Sequence, residues 1–275
     1  MLGLPFAIPT TWTGSAVVVV APMNLHHLLA RPDKLPESEI LNIFGLIDLF
    51  QLPYVNSDPD IYLNALHFDV VRRKMSKKDM HLFAETQAEE IDHAFSEIWG
   101  RSKEWTTINW DTCGRVVARA AERMMFGLLM CRDTKLLDAS RLYTASVLLR
   151  SAVMNCFPPW ARKLVAPVIA LRDKYYQKRC IKILVPIIDE RIRIFHKTNK
   201  EDEDNRGNNN FPHDFLQWLI AACAKEGHHQ LESTRIANRL LALMTPLIFA
   251  VCYVFAHAVL DLYGSFSKEE FLSGL

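Results

Sequence analysis

The sequence predicts a mainly α-helical fold with a small patch of β-strand near its amino end. Beyond Pro22, apolar residues recur at helical spacing in one segment after another. Residues Leu240 to Leu260 carry no charge and could form one helix of roughly 30 Å. The chain also lacks the alternation of strands and helices that is typical of a nucleotide-binding sheet. We therefore expect a mainly helical chain, and its 275 residues predict one or two domains.

The composition excludes some classes of partner. Half of the 275 residues are apolar, which is enough for a sizeable core, and 32 Lys and Arg residues balance 31 Asp and Glu residues. This balance predicts no nucleic-acid partner. Six cysteines are scattered without a C-x-x-C pair, which favours a reducing compartment and predicts no metal site.

The first elements are predicted to be two short strands within residues 5–20. Pro5–Pro9 and the β-branched run Ala16–Val20 flank a Gly-containing turn. Helices over 24–30 and 38–50 follow, each bounded by proline. They begin a helical body that we expect to extend to residue 199.

Within this body, residues 60–99 are predicted to be helical with a break near Met75 and Ser76. Pro167 and Pro186 are expected to interrupt the cationic helical region 160–197. A further helix over 109–129 is predicted to turn one set of apolar side chains inward: Val116, Val117, Ala120, Met124 and Leu128.

Residues 200–210 are charged and rich in Gly and Asn, which predicts a flexible loop. The helical region 213–263 follows and contains the uncharged run. A helix of this length could cross a bilayer or form the centre of a soluble core. Pro246, Tyr253 and His257 favour the buried core helix, because lipid disfavours their polar or helix-bending groups.

Several strings of residues, taken in order, resemble the amino-terminal half of a fungal cytochrome P450, a haem-thiolate monooxygenase. The likeness covers nearly the whole chain. It implies that residues 1–275 form a single partial domain with a truncated cytochrome P450-like fold. In sequence order, the strings are PFAIPTTWTG and AVVVVAP within Pro5–Pro22, HFDVVRRKM at His67–Met75, RVVAR at Arg115–Arg119, FGLLMCRD at Phe126–Asp133, PPW at Pro158–Trp160, VPIIDER at Val185–Arg191, DFLQWL at Asp214–Leu219 and VLDLY at Val259–Tyr263.

The resemblance implies a haem cofactor and names its candidate residues. The string at His67–Met75 is similar to the helix that holds the haem propionates, which implies His67, Arg72 and Arg73 as cofactor-binding residues. The alternative for the two arginines is a solvated helix face. The uncharged run is similar to the distal helix that crosses over the haem.

The distal-helix positions where the family delivers protons to bound dioxygen are occupied here by Phe249, Ala250, Val251 and Cys252. None of them is an acid or a hydroxyl, so no catalytic residue is certain. Thr245 lies one turn earlier and is expected to bond to the backbone beside Pro246.

The family's iron-binding loop, F-x-x-G-x-x-x-C-x-G, does not occur in the sequence. Cys131 is the nearest approach to it, and we interpret Cys131 as a half-buried thiol at a helix end. The resemblance therefore implies a truncated chain without the haem-thiolate half, inactive alone. Whether it is an enzyme stays open.

The family's reaction inserts oxygen into a lipophilic substrate of secondary metabolism, with electrons from a cytochrome reductase. The resemblance implies the cytosolic face of the endoplasmic reticulum membrane, or a cytosolic or membrane-associated location for a chain without an anchor. The alternative is a non-enzymatic helical protein, or a single-span membrane protein, derived from such a gene.

Overall fold

The structure is a computed structural model and describes residues 6–9, 16–19, 60–64, 66–75, 77–101, 107–201 and 212–264. This part of the chain is almost entirely helical, which confirms the mainly α-helical class. The predicted helices over 24–30 and 38–50 lie outside the described residues. So does the predicted flexible loop, apart from its first two residues, Lys200 and Glu201, which end a helix.

The elements follow one another as β1 (Phe6–Pro9), β2 (Ala16–Val19), α1 (Asp60–Leu63), α2 (Leu66–Lys74), α3 (Lys77–Ile98), α4 (Trp110–Phe126), α5 (Leu128–Cys131), α6 (Thr134–Asn155), α7 (Pro159–Ile169), α8 (Leu171–Glu201), α9 (Phe215–Glu226), a short 3-10 helix (His228–Leu231) and α10 (Ser233–Gly264).

The two strands form an antiparallel pair. Phe6 lies opposite Val19, and Pro9 lies opposite Ala16. The role of this pair as the opening of a larger sheet stays a prediction.

Helix ends follow local chemistry. Asn109 caps α4 by accepting a hydrogen bond from the Thr112 amide at 2.9 Å, and the Thr112 hydroxyl accepts from the Asn109 amide at 3.1 Å. Gly127 ends α4 with a φ of 82°, and a Cβ there would lie 3.3 Å from the Asp214 carboxylate. This turn exposes Leu128, so its predicted inward position is wrong.

The other helix predictions had mixed outcomes. α2 ends at Lys74 and α3 begins at Lys77, which confirms the predicted break. Val116 and Val117 are buried, as predicted. The predicted interruption at Pro186 is wrong, because α8 continues through it and only one amide donor is lost within a long helix. Pro167 also lies inside a helix, α7, and the break follows at Ala170.

The chain packs into two compact units. The first contains Met1–Tyr62 and Ser146–Tyr175, and the second contains Leu63–Ala145 and Tyr176–Leu275. The single-domain organisation therefore stays a prediction.

The first unit holds a buried ion pair. Arg150 on α6 donates to the Asp173 carboxylate on α8, and both side chains are fully buried. Burial raises the pKa of Asp173, although Arg150 opposes this effect. Because an unpaired buried charge is costly, the pair links these two helix segments.

The second unit is built around α4. Helices α3 and α10 pack on α4, and α9 packs on both α4 and α2. These helices contribute fully buried apolar side chains, each of which stabilises the fold by about 1.5–3 kcal/mol: Phe126, Phe215, Leu216, Leu219, Leu240 and Met244.

A buried carboxylate joins α3 to α4. Glu90 is 1% exposed, accepts from Arg119 on α4, and accepts from Arg132 Nη2 at 2.8 Å. Burial alone would raise the pKa of Glu90, but hydrogen bonds from Arg132 and Arg119 bring it below its usual value. Glu90 is therefore a charged tie between helices.

We expect the substitution Glu90→Gln to lower the free energy of unfolding by about 3–5 kcal/mol, because it leaves the buried Arg119 without its innermost anionic partner. Urea unfolding followed by circular dichroism measures this loss. Asp92→Asn is the matched control on the same helix, because its ion pair with Arg101 is solvent-exposed and is worth less than about 1 kcal/mol. Equal losses in both variants would contradict the prediction.

Candidate functional site

Helix α2 turns its three candidate residues to different environments. His67 is 1% exposed, whereas the side chains of Arg72 and Arg73 are 55% and 73% exposed. Five or six residues correspond to about one and a half helical turns, which separates the histidine from the arginines. The structure therefore does not bring the three together on one face.

His67 belongs to a buried polar cluster around Arg239 of α10. Arg239 Nη1 lies 3.3 Å from His67 Nδ1 and donates to the Asn64 carbonyl at 2.8 Å. Its Nη2 donates to Gln230 Oε1 at 2.8 Å. We call these four residues the Arg239 cluster, and it ties α2 and the 3-10 helix to α10.

The Arg239 cluster holds His67 in its neutral form. Burial, helped by the charge of Arg239, lowers the pKa of His67 from 6.5 to about 3. His67 Nε2 has no hydrogen-bond partner among the described residues. Sequence reasoning missed Arg239 and Gln230; the available signal was an arginine directly before the uncharged run, where a charge is costly without partners.

Arg72 and Arg73 lie on the outer face of α2. Arg72 Nη2 is 3.1 Å from Asp69 Oδ1, and Arg73 Nη2 is 3.8 Å from Asp69 Oδ2. Exposed pairs of this kind are weak, so a stronger anion can replace Asp69. Guanidinium groups at this surface fit carboxylates such as haem propionates, because each can donate two parallel hydrogen bonds.

The four distal-helix candidates face different directions on α10. Cys252 is buried against Cys113 and Val117 of α4, with Trp99 and Phe255 beside them. The ring centroid of Phe249 lies 6.4 Å from that of Trp110. Ala250 and Val251 are exposed. Tyr253 and His257, within two turns of Ala250, are exposed as well, so the surface that α10 leaves open here carries both apolar and polar side chains.

Thr245 is buried, and its hydroxyl donates to the Leu241 carbonyl at 3.1 Å. The expected backbone bond is confirmed. The Thr245 hydroxyl is occupied inside the helix, so Thr245 supplies no proton-transfer group at the open surface.

The six cysteines of the chain provide a test of fit for a thiolate ligand. Burial raises the pKa of Cys131, Cys223 and Cys252 to about 11 and that of Cys180 to about 12. Cys131 ends α5, as expected, and its Sγ donates to the Leu128 carbonyl at 3.2 Å, but the side chain is fully buried instead of half-buried. These protonated, enclosed thiols do not fit an iron ligand.

Exposed Cys156 contacts the carbonyl of its own helix, with Sγ 3.3 Å from the Ala152 oxygen. In the part of the chain that the structure describes, no three His, Cys, Asp or Glu residues come together as a metal site.

Glu122 is a buried acid that sequence reasoning missed. It lies on α4, is fully buried, and accepts from the Ser140 hydroxyl at 2.7 Å. Burial raises the pKa of Glu122 well above its ordinary value. Its second oxygen, Oε2, has no hydrogen-bond partner among the described atoms, so the protonated acid suits this environment.

Similarity to known proteins extends over most of the chain. It is 32% identical to cytochrome P450 monooxygenase gloP of Glarea lozoyensis over 213 residues, which are 76% of this chain and 38% of that protein. It is 28% identical to cytochrome P450 monooxygenase htyF of Aspergillus rugulosus over 94% of this chain and 37% of that protein. Cytochrome P450 monooxygenase 151 of Postia placenta is 23% identical, with coverage of 88% and 46%.

No protein-family model matches the chain, and no solved structure matches it. The chain spans less than half the length of these three curated relatives. The family resemblance is nevertheless confirmed: the chain is a cytochrome P450-like polypeptide, related to the fungal cytochrome P450 monooxygenases.

We expect His67 to make the protein sensitive to acid. Its pKa is lowered in the folded state, so its stabilising contribution is present above pH 6.5 and is lost as the pH falls towards 3. The variant His67→Gln should lose stability less steeply in this range, as measured by urea unfolding at stepped pH. His93→Gln, an exposed histidine on α3, is the control and should keep the slope of the parent chain.

Glu122 gives the opposite pH dependence. Because its folded-state pKa is raised, its contribution to stability is present below the unfolded pKa of about 4.5 and is lost as the pH rises. We expect Glu122→Gln to be more stable than the parent at neutral pH, with a gap that closes below pH 4.5. Thermal unfolding at several pH values measures this gap, and a variant that is less stable at every pH would contradict the prediction.

Proposed function

We propose that this chain forms the distal part of a haem-thiolate monooxygenase of fungal secondary metabolism. The observation that carries the proposal is the 32% identity to a fungal cytochrome P450 monooxygenase over 213 residues. The substrate would be a lipophilic small molecule, and electrons would come from a cytochrome reductase. The enzyme would act at the cytosolic face of the endoplasmic reticulum membrane.

Haem held by a cysteine thiolate supplies the activation of dioxygen in such an enzyme. Arg72 and Arg73 would hold its propionates, because their guanidinium groups are exposed and weakly paired. The burial of His67 supports a different role from the one implied by the sequence. His67 would position α2 through the Arg239 cluster instead of contacting the cofactor.

Helix α10 would cover the distal side with the surface around Ala250 and Val251. No acid or hydroxyl lies among the four distal-helix candidates, so none of these four would deliver a proton there. The apolar side chains of this surface would suit a lipophilic substrate, because burying apolar area drives such binding.

The polypeptide by itself would bind no iron through sulfur. Its sequence contains no F-x-x-G-x-x-x-C-x-G loop, and five of its six cysteines are buried. We therefore propose that residues 1–275 alone have no monooxygenase activity.

A carbon monoxide difference spectrum tests the proposal that no cysteine of this chain binds the haem iron. The purified chain, mixed with haem and reduced, should show no red-shifted Soret band under carbon monoxide, because that band requires a thiolate ligand. A band at the thiolate position would show that one of these cysteines binds iron, and the proposal that the chain lacks the ligand would fail.

A haem titration tests the propionate role separately. We expect the double variant Arg72→Ala/Arg73→Ala to weaken haem binding by about tenfold, because two charge-assisted contacts are lost. The absorbance rise on haem addition measures the affinity. Arg101→Ala is the control, since Arg101 is comparably exposed and lies three residues beyond the end of α3. Equal effects of both variants would contradict the assignment.

The single-span alternative has one observation in its favour. Among the described residues, α10 is long and apolar enough to cross a membrane, and its carboxyl half exposes Val254 and Leu260. The amino half of α10 supports the interpretation as a core helix, because Leu240 and Met244 are completely buried. Carbonate extraction of membranes separates the two, since a spanning protein stays in the pellet.

A further inference from the structure

Two of the buried cysteines, Cys113 and Cys252, lie in one apolar cluster where α10 packs on α4. Cys113 is in the first turn of α4 and is 3% exposed, and Cys252 is in the carboxyl half of α10 and is 2% exposed. Both are free thiols and both belong to the second compact unit. The proposed oxygenase function gives neither thiol a role.

The packing of α10 on α4 suits a bond between the two sulfurs. Val117 lies one turn after Cys113 and belongs to the same cluster, so Cys252 packs against the face of α4 that carries both. Gly114 brings α10 close, because a Cβ there would lie 3.9 Å from Cys252 Sγ. Axes of packed helices are about 8–10 Å apart, which leaves facing Cα atoms roughly 3.4–5.4 Å apart. A disulfide joins Cα atoms that are about 4.4–6.8 Å apart.

A guanidinium lies beside the pair. A Cβ at Gly114 would lie 3.6 Å from Arg141 Nε, and Arg141 is itself paired with Asp111. Burial and the neighbouring Cys113 raise the pKa of Cys252 to about 11, and the charge of Arg141 opposes this rise. Because the thiolate is the nucleophile, Arg141 favours Cys252 as the first of the two sulfurs to react, whereas burial slows the reaction.

The pair lies near the surface of the second unit. Tyr253 and Val254, the next residues on α10, are 51% and 66% exposed. Trp99 and Phe255 pack against the cluster, and their stacked rings have centroids 5.8 Å apart. A small neutral oxidant therefore reaches Cys252 through a local opening of this half of α10, without unfolding of the whole unit.

We propose that Cys113 and Cys252 form a disulfide when the protein meets hydrogen peroxide, and that this bond locks α10 to α4. The Cys252 sulfur attacks one peroxide oxygen, the O–O bond breaks, and a sulfenic acid and water are formed. The Cys113 sulfur then attacks the sulfenic sulfur, the S–O bond breaks, and a second water leaves. The two thiols together lose two electrons and two protons, and one peroxide is reduced to two water molecules.

The inference goes beyond the proposed function and requires neither haem nor substrate. A reducing compartment, which the scattered cysteines favour, would keep the pair as thiols until peroxide appears. The disulfide would join segments that are far apart in the sequence and would restrict the unfolded chain, so the oxidised protein should be more stable. The carboxyl half of α10 should also open less often.

The test starts from the variant Cys156→Ser, which removes the exposed thiol that would react first. The purified, folded chain is treated with hydrogen peroxide, alkylated in denaturant and digested without a reductant. Mass spectrometry then identifies the peptides that are joined. We expect one cross-linked pair, which contains residues 113 and 252 and which dithiothreitol separates.

Further variants in the same background make the result specific. Cys113→Ser and Cys252→Ser should each lose the cross-link. Cys131→Ser and Cys223→Ser remove thiols that are comparably buried and should keep it. Circular dichroism checks that each variant is folded.

The lock itself has two readouts. Oxidation should raise the unfolding temperature by at least about 5 °C. It should also slow hydrogen exchange of the α10 amides around residue 252 at least about tenfold. Neither change should occur in Cys113→Ser, which cannot form the bond.

The opposite outcomes are equally distinct. If peroxide leaves both residues as thiols, oxidises them separately to sulfinic acids, or joins either one to another cysteine of the folded chain, the proposal is overturned. Peroxide added in urea should join several different pairs, and the same single pair there would show that helix packing does not select it. Failure of the proposed oxygenase function would leave the cross-link unchanged, because the assay contains no haem.

Discussion

The buried guanidinium of Arg239 is the constraint on which the second unit depends. It lies nearly two turns into α10, where water cannot reach it, so its hydrogen bonds must come from protein. The Asn64 carbonyl, His67 and Gln230 supply them from three different segments. Because these partners have to converge on one side chain, the register of α10 against α2 is determined.

Three other buried polar groups of the second unit, Glu90, Glu122 and His67, differ in what sets their charge state. Glu90 is kept charged by two arginines, whereas Glu122 accepts a hydrogen bond from the Ser140 hydroxyl, and burial favours its neutral form. His67 is neutral for a third reason, because burial and a neighbouring positive charge both oppose its protonation. The second unit therefore carries groups whose stabilising effects fall at opposite ends of the pH scale.

Much of the fold could be predicted because helix periodicity is local. The break between α2 and α3 and the burial of Val116 and Val117 follow from residues close together in the chain. The two wrong predictions, at Pro186 and Leu128, applied a local rule to a residue whose neighbouring helix or turn decided its structure. Pro186 does not stop α8, since a helix of 31 residues tolerates the loss of one bond, and the turn at Gly127 rotates Leu128 outward.

The sequence by itself determined the helical class, the order of the segments and the likeness to fungal cytochrome P450 monooxygenases, because these depend on residue types and their spacing. The tertiary structure decided which side of each helix meets the core. It buried His67 and left Arg72 outside, enclosed Cys252 against α4, and left the Trp160 face of α7 uncovered. Burial depends on contacts between residues that are distant in sequence, such as Arg239 and Asn64, and no short string of residues encodes such a contact.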